Sequence, residues 1–298
     1  MNTLLPALKK GDLIRIISPA KTIDVSFFEV AQQKFEAAGF RVIIGNNALG
    51  QHNYFSGTDE ERSADLQEAL DDADCKLIVC SRGGYGSIRL VNAVNWDGFK
   101  RSPKWFCGFS DITVFLSRIH RLQFQCIHGT MPLNYETNSS EALDSFFNAI
   151  TGKENFYTLP SSSFNKTGKV SGELVGGNLC ILHSLLGTDD RIDYSNKILF
   201  IEEVGEQLYS IDRMLHSLKK AGVLDEISGL IVGGMTELKE TPIPTNFTIP
   251  ELVLHHFQER SIPISFDFPV GHISDNRAMI VGKTATLEID KEKVNFRQ

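Results

Sequence analysis

Apolar runs and amphipathic stretches alternate through the first half of the chain. Residues 12–18 form a run rich in β-branched side chains that Pro19 closes, and the apolar positions of residues 25–38 have the spacing of one helix face. Shorter apolar runs predict strands at residues 41–44, 76–80 and 105–107, and Thr58 with Glu61 has the pattern of a capping box before a helix. This alternation predicts βαβ units and therefore a parallel sheet with helices on both faces.

The periodic pattern is lost after residue 155 and is replaced by serine, asparagine and lysine up to residue 172. We interpret residues 156–172 as a linker between an N-terminal domain of residues 1–155, which carries the candidate nucleophile, and a C-terminal domain of residues 173–298. We expect an α/β fold, with a parallel-sheet, flavodoxin-like (class I glutamine-amidotransferase-like) N-terminal domain and a mixed α/β, strand-rich C-terminal domain.

The second half again contains apolar runs and helical spacing. Runs at residues 197–201, 230–232 and 286–289 predict strands, and Gly176-Gly177-Asn178 is predicted to open a helical segment. Ser210 is predicted to cap a further helix, whose inward side chains are apolar and which ends in two lysines.

Composition excludes several classes of function. The 298 residues are 42% hydrophobic and carry a net charge of −7, which argues against a nucleic-acid partner because such proteins need a basic face. Neither a membrane span nor a secretory signal is predicted, so we expect a cytoplasmic protein without a membrane partner. The five cysteines are odd in number and lack C-x-x-C spacing, so neither a disulfide framework nor a cysteine zinc site is indicated.

Ser110 stands where an apolar strand meets an amphipathic helix. Gly108 precedes it by two residues, as in the G-x-S-x-G motif of hydrolases, but Ile112 replaces the second glycine. A serine at such a turn has an exposed hydroxyl beside the free N–H groups of the helix start, which suit an oxyanion. The motif predicts a nucleophile, and a simple helix cap is the alternative.

Arg82-Gly83-Gly84-Tyr85-Gly86 follows the third predicted strand directly. Ligands of open α/β sheets bind at the carboxyl ends of the strands, and glycines let a ligand approach the backbone closely. The phosphate-binding patterns G-x-G-x-x-G and G-x-x-x-x-G-K are absent, which leaves a ligand loop or a plain tight turn as the two interpretations.

Glu202 ends an apolar strand, where a carboxylate must be paired or take part in chemistry. His272 emerges from another apolar segment, and His128 is its competitor as a general base. Ser110, Glu202 and His272 together supply the types needed for a nucleophile, a base and an orienting carboxylate. The other histidines are expected to be exposed or to pack in helices: His52, His120, His183, His216, His255 and His256.

Six motifs resemble, in order, those of the LD-carboxypeptidases, also called muramoyltetrapeptide carboxypeptidases, and of the related microcin C immunity hydrolases. The resemblance runs from about residue 10 to the C-terminus, with Thr130 replacing the proline usual after His-Gly. The motifs are Arg82-Gly83-Gly84-Tyr85-Gly86, Cys107-Gly108-Phe109-Ser110-Asp111-Ile112-Thr113, His128-Gly129-x-Met131, Gly176-Gly177-Asn178-Leu179, the stretch from Leu199 to Glu206 with Ile211-Asp212-Arg213-Met214-Leu215, and Gly271-His272.

The resemblance implies a cytoplasmic, homodimeric serine peptidase that removes terminal D-alanine from murein tetrapeptides during peptidoglycan recycling. It implies Ser110 as nucleophile, Glu202 as carboxylate and His272 as base, with no metal or organic cofactor. It also implies an oxyanion hole formed by the backbone N–H groups of Gly84 and Asp111.

We further expect Arg82, Gly83 and Glu206 to contact the substrate. Two alternatives stay open at this point. One is a related serine hydrolase of a microcin C-like peptidyl nucleotide amide, and the other is a non-catalytic protein that binds muropeptides.

Overall fold

The computed structural model describes residues 3–298, which form two β-sheets with helices packed against them. The thirteen strands are β1 (Leu13–Ile17), β2 (Arg41–Ile44), β3 (Cys75–Cys80), β4 (Trp105–Gly108), β5 (Cys126–His128), β6 (Phe156–Pro160), β7 (Gly168–Asn178), β8 (Ile198–Val204), β9 (Gly229–Thr236), β10 (Ile264–Ser265), β11 (Met279–Val281), β12 (Thr284–Ile289) and β13 (Lys293–Arg297).

Within residues 3–298, ten α-helices lie between these strands along the sequence. They are α1 (Val25–Ala37), α2 (Asp59–Asp71), α3 (Ser87–Leu90), α4 (Asp97–Arg101), α5 (Thr113–Arg121), α6 (Ser140–Ile150), α7 (Leu179–Ser184), α8 (Leu208–Lys220), α9 (Val223–Glu226) and α10 (Ile249–His255). None of the helices in residues 3–298 is long and apolar enough to cross a membrane.

The first sheet has the strand order β11-β5-β4-β3-β1-β2. Strands β1 to β5 pair in parallel, as the alternating pattern predicts, and the capping box on Thr58 is formed at the start of α2. The edge strand β11 comes from the far end of the chain and pairs with β5 in antiparallel orientation. The fold is therefore mixed α/β, and the first sheet is completed by the second half of the sequence.

The second sheet has the order β10-β9-β8-β7-β12-β13-β6. Its strands β7 to β10 are parallel, whereas β12, β13 and β6 pair in antiparallel orientation. One buried apolar cluster contains side chains of both sheets, for example Phe106 and Phe115 from the first half with Leu174, Phe200 and Phe268 from the second. The two sheets thus share a core.

Two local expectations are wrong. The expected linker of residues 156–172 contains β6 and the beginning of β7. The backbone of these two segments pairs with β13 and β12, which come much later in the sequence. Gln207, not Ser210, precedes the first residue of α8, so Ser210 lies inside that helix. Gly176-Gly177-Asn178 ends β7, and Asn178 caps α7, so the predicted helical segment begins directly after these residues.

Candidate active site

Ser110 lies at a sharp turn between β4 and α5. Its φ of 64° is in the left-handed region that side chains other than glycine rarely adopt, as in a nucleophile elbow. A short 3-10 turn of residues Ser110–Ile112 connects it to α5. A Cβ atom on Gly108 would lie 2.7 Å from Cγ2 of Ile112, so the isoleucine at the position of the motif's second glycine packs directly over Gly108.

The structure brings Ser110, His272 and Glu202 together from three separate segments. Nε2 of His272 lies 3.1 Å from Oγ of Ser110, and Nδ1 lies 2.6 Å from Oε2 of Glu202. A carboxylate only accepts hydrogen bonds, so Nδ1 carries the proton and Nε2 accepts from the serine hydroxyl. This is the hydrogen-bond order of nucleophile, base and orienting carboxylate.

Gly271 makes the close contact between His272 and Glu202 sterically feasible. Its φ is +105°, and an added Cβ atom would lie 2.5 Å from Cβ and 2.6 Å from Oε2 of Glu202. The turn is held by Asn276, whose Oδ1 accepts from the Gly271 N–H at 2.8 Å, and by Thr236, whose hydroxyl donates to the His272 carbonyl at 3.2 Å. Only glycine fits at this position without displacing the carboxylate.

The charges of Glu202 and His272 stabilise each other. Complete burial acts to raise the pKa of Glu202, but His128 and His272 outweigh burial and lower that pKa to about 2. Burial acts to lower the pKa of His272, but the hydrogen bond to Glu202 and its charge raise it above the ordinary value. Glu202 is therefore ionised at neutral pH, and His272 is a stronger base than an isolated imidazole.

His128, the competing histidine, lies on the other side of Glu202. It is fully buried, and its Nε2 is 3.8 Å from Oε1 of Glu202, which is beyond hydrogen-bond distance. The ring of Phe109 packs against both histidines, with centroids 4.9 Å from His272 and 5.7 Å from His128. His128 thus borders the carboxylate, whereas the serine is hydrogen-bonded to His272.

The glycine-rich loop after β3 reaches the candidate nucleophile. A Cβ atom on Gly83 would lie 2.9 Å from Cβ of Ser110 and 3.3 Å from the backbone nitrogen of Asp111, whereas Gly84 is exposed and faces Lys21 and Tyr54. The side chain of Asp111 accepts from the Ser87 N–H at 2.9 Å and so ties the loop to the serine turn. The sequence predicted a role only for the backbone N–H of Asp111, in the oxyanion hole. The neighbouring residues do not show which group the Asp111 carboxylate would contact.

Arg82 and Glu206 are both half-buried. Nη1 of Arg82 donates to the Thr22 carbonyl at 3.2 Å, and burial lowers the pKa of this guanidinium. The Glu206 carbonyl accepts from the Lys239 N–H at 2.9 Å. A cleft of about 310 Å³ opens beside His272 and is lined by Phe109, Asn134, Thr137, Asn138, His272, Ile273 and Ser274.

Glu203, which sequence reasoning did not single out, is a buried structural neighbour of the site. Its carboxylate accepts from the side chain of Asn178 at 3.0 Å and from the Cys180 N–H at 2.7 Å, while burial raises its pKa. It therefore fastens the start of α7 to β8, the strand that carries Glu202. The pairing was not predictable, since adjacent glutamates on a strand point to opposite faces and only the fold shows what each face meets.

Two family models match most of the chain. The LD-carboxypeptidase N-terminal domain matches residues 14–129, and the LD-carboxypeptidase C-terminal domain matches residues 171–287. A Bacillus subtilis (strain 168) protein named "Probable murein peptide carboxypeptidase" is 32% identical over 287 residues, covering 94% of this chain and 90% of that protein. The murein tetrapeptide carboxypeptidase of Pseudomonas aeruginosa is 29% identical and covers 92% of each chain.

Solved structures agree with these relationships. The muramoyltetrapeptide carboxypeptidase from Oxalobacter formigenes superposes with a TM-score of 0.86 at 29% identity, covering 96% of this chain and 98% of that one. The microcin C7 self-immunity protein MccF, in complex with aspartyl sulfamoyl adenosine, has a TM-score of 0.87 at 23% identity and covers 99% of each chain, which shows a shared fold. By sequence and by structure, the chain belongs to the LD-carboxypeptidase family of serine-type carboxypeptidases.

Proposed function

We propose that the protein cleaves the amide bond between an L-configured centre and the terminal D-alanine of murein tetrapeptides, as part of peptidoglycan recycling. The observation that carries this proposal is the hydrogen-bonded series from Ser110 through His272 to Glu202. The name of the Pseudomonas aeruginosa relative supports the murein tetrapeptide as the substrate.

In the proposed first step, Ser110 Oγ attacks the carbonyl carbon while Nε2 of His272 takes the hydroxyl proton. The tetrahedral intermediate collapses, and His272 returns the proton to the leaving amine of D-alanine. Water then attacks the acyl-enzyme ester, with His272 again accepting and returning the proton. Glu202 holds the imidazole in the required tautomer and stabilises its protonated form, so these steps proceed without a metal or organic cofactor.

The backbone N–H groups of Gly84 and Asp111 are proposed to bind the oxyanion. Support comes from the position of Asp111 in the first turn after the serine, where N–H groups have no intrahelical acceptor. The glycine-rich loop also comes close to the serine, since a Cβ atom added to Gly83 would lie 2.9 Å from Cβ of Ser110. Arg82, Gly83 and Glu206 are proposed to contact the peptide. The half-buried guanidinium of Arg82, next to the loop, has the charge needed for a substrate carboxylate.

The test is incubation of the purified protein with tetrapeptide and pentapeptide muropeptides, followed by mass spectrometry of the products. We expect free D-alanine and a tripeptide from the tetrapeptide, and no such release by the Ser110→Ala variant. Aspartyl sulfamoyl adenosine, the ligand of an MccF structure, is the competing substrate. If aspartyl sulfamoyl adenosine were cleaved and the tetrapeptide were left intact, the microcin-type activity would replace the proposal. Binding of the muropeptide without turnover would indicate a non-catalytic protein.

Three further features remain predictions: the flavodoxin-like topology of the first half, the homodimer and the cytoplasmic location. The order 2-1-3-4-5 of the parallel strands in the first sheet supports the flavodoxin-like description of that half. A homodimer is checked by sedimentation of the tag-free protein, and a cytoplasmic location by cell fractionation.

A further inference from the structure

Three histidines and an aspartate meet where α8 packs beside the end of α10, and none of them belongs to the proposed catalytic group. Asp212 and His216 lie one turn apart on α8, so their side chains project from the same helix face. His255 is the last residue of α10, and His256 follows it directly. The sequence placed these histidines in helices, and only the fold shows that the two helices meet.

The side chains of Asp212, His216 and His256 converge. One potential ligand atom from each lies within 4.8 Å of the other two. Oδ1 of Asp212 is 3.6 Å from Nε2 of His216, and the rings of His216 and His256 have centroids 4.6 Å apart. Ligand atoms around a tetrahedral Zn²⁺ with bonds of about 2.0–2.2 Å lie roughly 3.3–3.6 Å apart, so small side-chain rotations would complete the geometry.

His256 supplies a second, independent observation. Its side chain is 7% exposed, and Nε2 is buried without a hydrogen-bond partner among residues 3–298. Buried polar atoms normally have a partner, and a metal ion bound at this nitrogen would supply one.

We propose that Asp212, His216 and His256 bind one divalent transition-metal ion of the Zn²⁺ type and that this ion fastens α8 to α10. Two imidazoles and one carboxylate form a donor set that suits Zn²⁺, Ni²⁺ or Co²⁺, whereas Mg²⁺ and Ca²⁺ require oxygen ligands. The fourth position falls to water or to His255, whose ring centroid is 5.3 Å from that of His256. The ion stabilises the helix pair and takes no part in the serine chemistry.

The experiment is a calorimetric titration of the tag-free, full-length, metal-free protein with Zn²⁺, and with Mg²⁺ as the chemical control. We expect one Zn²⁺ per chain, no heat from Mg²⁺, and a rise in melting temperature with Zn²⁺ that a chelator reverses. His216→Ala and Asp212→Asn change partly exposed helix positions and are expected to weaken Zn²⁺ binding by about tenfold or more. His52→Ala, at an exposed histidine in the other half of the chain, is the matched control and should bind as the wild type does.

Absorption of the Co²⁺-loaded protein provides a second readout that does not depend on activity. Visible d–d bands of a tetrahedral ion are expected in the wild type and in His52→Ala, and should be lost in His216→Ala. Absence of Zn²⁺ binding, or equal binding by wild type and His216→Ala, would overturn the proposal. Circular dichroism of each variant shows that the helix is kept, so a loss of binding reports the ligands themselves.

Discussion

At Ser110 the backbone is held in a left-handed conformation that costs about 1–3 kcal/mol for a residue other than glycine. The surrounding turn maintains it, and the hydroxyl consequently points at Nε2 of His272 instead of capping α5. We expect Ser110→Ala to fold normally and to lose turnover by roughly 10⁴-fold or more, because only the nucleophile is removed. Release of D-alanine measured by coupled assay, with melting temperature as the folding control, checks this. Near-wild-type release would contradict the assignment of the nucleophile.

The two histidines beside Glu202 differ in what they touch. His272 lies within hydrogen-bond distance of both Ser110 and Glu202. Nε2 of His128 is 3.8 Å from Glu202, and neither ring nitrogen of His128 has a hydrogen-bond partner among residues 3–298. His272→Ala should therefore lose as much activity as Ser110→Ala, and the double variant should be scarcely worse, since the residues act as a unit. His128→Ala should cost much less. The reverse order in measured kcat would identify His128 as the base.

The pH dependence of the reaction follows from the environment of His272. Burial acts to lower its pKa, but the hydrogen bond and charge of Glu202 raise it above the ordinary value of about 6.5. The base must be neutral to accept the serine proton, so kcat/KM should fall as pH drops through this raised pKa. Glu202→Gln removes the charge and should shift that acidic limb to lower pH while reducing the plateau by about 10⁴-fold. If the acidic limb of kcat/KM did not shift in this variant, that limb would report the titration of a group other than His272.

At the scale of elements, the short turn Gly271-His272 after β10 positions the base. Gly271→Ala combines a strained φ of +105° with a Cβ atom 2.6 Å from Oε2 of Glu202. Gly11→Ala is the matched control, because its φ is +91° but nothing lies within 4 Å of the added Cβ. Both should lose some stability, and only Gly271→Ala should lose kcat, by about 10²-fold for a displacement near 1 Å. Equal effects on kcat would mean that backbone strain, not the contact with the carboxylate, is responsible.

The elements that were predictable from the sequence are those whose pattern is local. Strands β1 to β4 and the capped helix α2 have apolar runs or capping pairs that act within a few residues, and the serine turn follows from one such junction. Strand β6 was not predictable, because its partner β13 lies at the other end of the chain. The same reason applies to the site: residue types indicated Ser110, Glu202 and His272, but only the fold shows that they meet.

At the scale of the molecule, the two halves are joined by a common core and by a strand. Strand β11, from the second half, forms the edge of the first sheet beside β5, and one apolar cluster contains side chains of both sheets. A piece containing only residues 1–155 would lack β11, would leave the edge of β5 unpaired and would expose part of that cluster to water. The nucleophile would also be separated from Glu202 and His272.

We therefore expect the intact chain to unfold in a single cooperative transition, with loss of activity at the same temperature. Calorimetric and van't Hoff enthalpies should agree, since shared burial prevents either half from remaining folded alone. Separately produced residues 1–155 and 156–298 should show no release of D-alanine. Two resolved transitions, or a folded and active half, would mean that the shared core contributes too little to couple the sheets. The relative placement of serine and histidine would then depend on the chain connection alone, which cannot hold a contact of 3.1 Å.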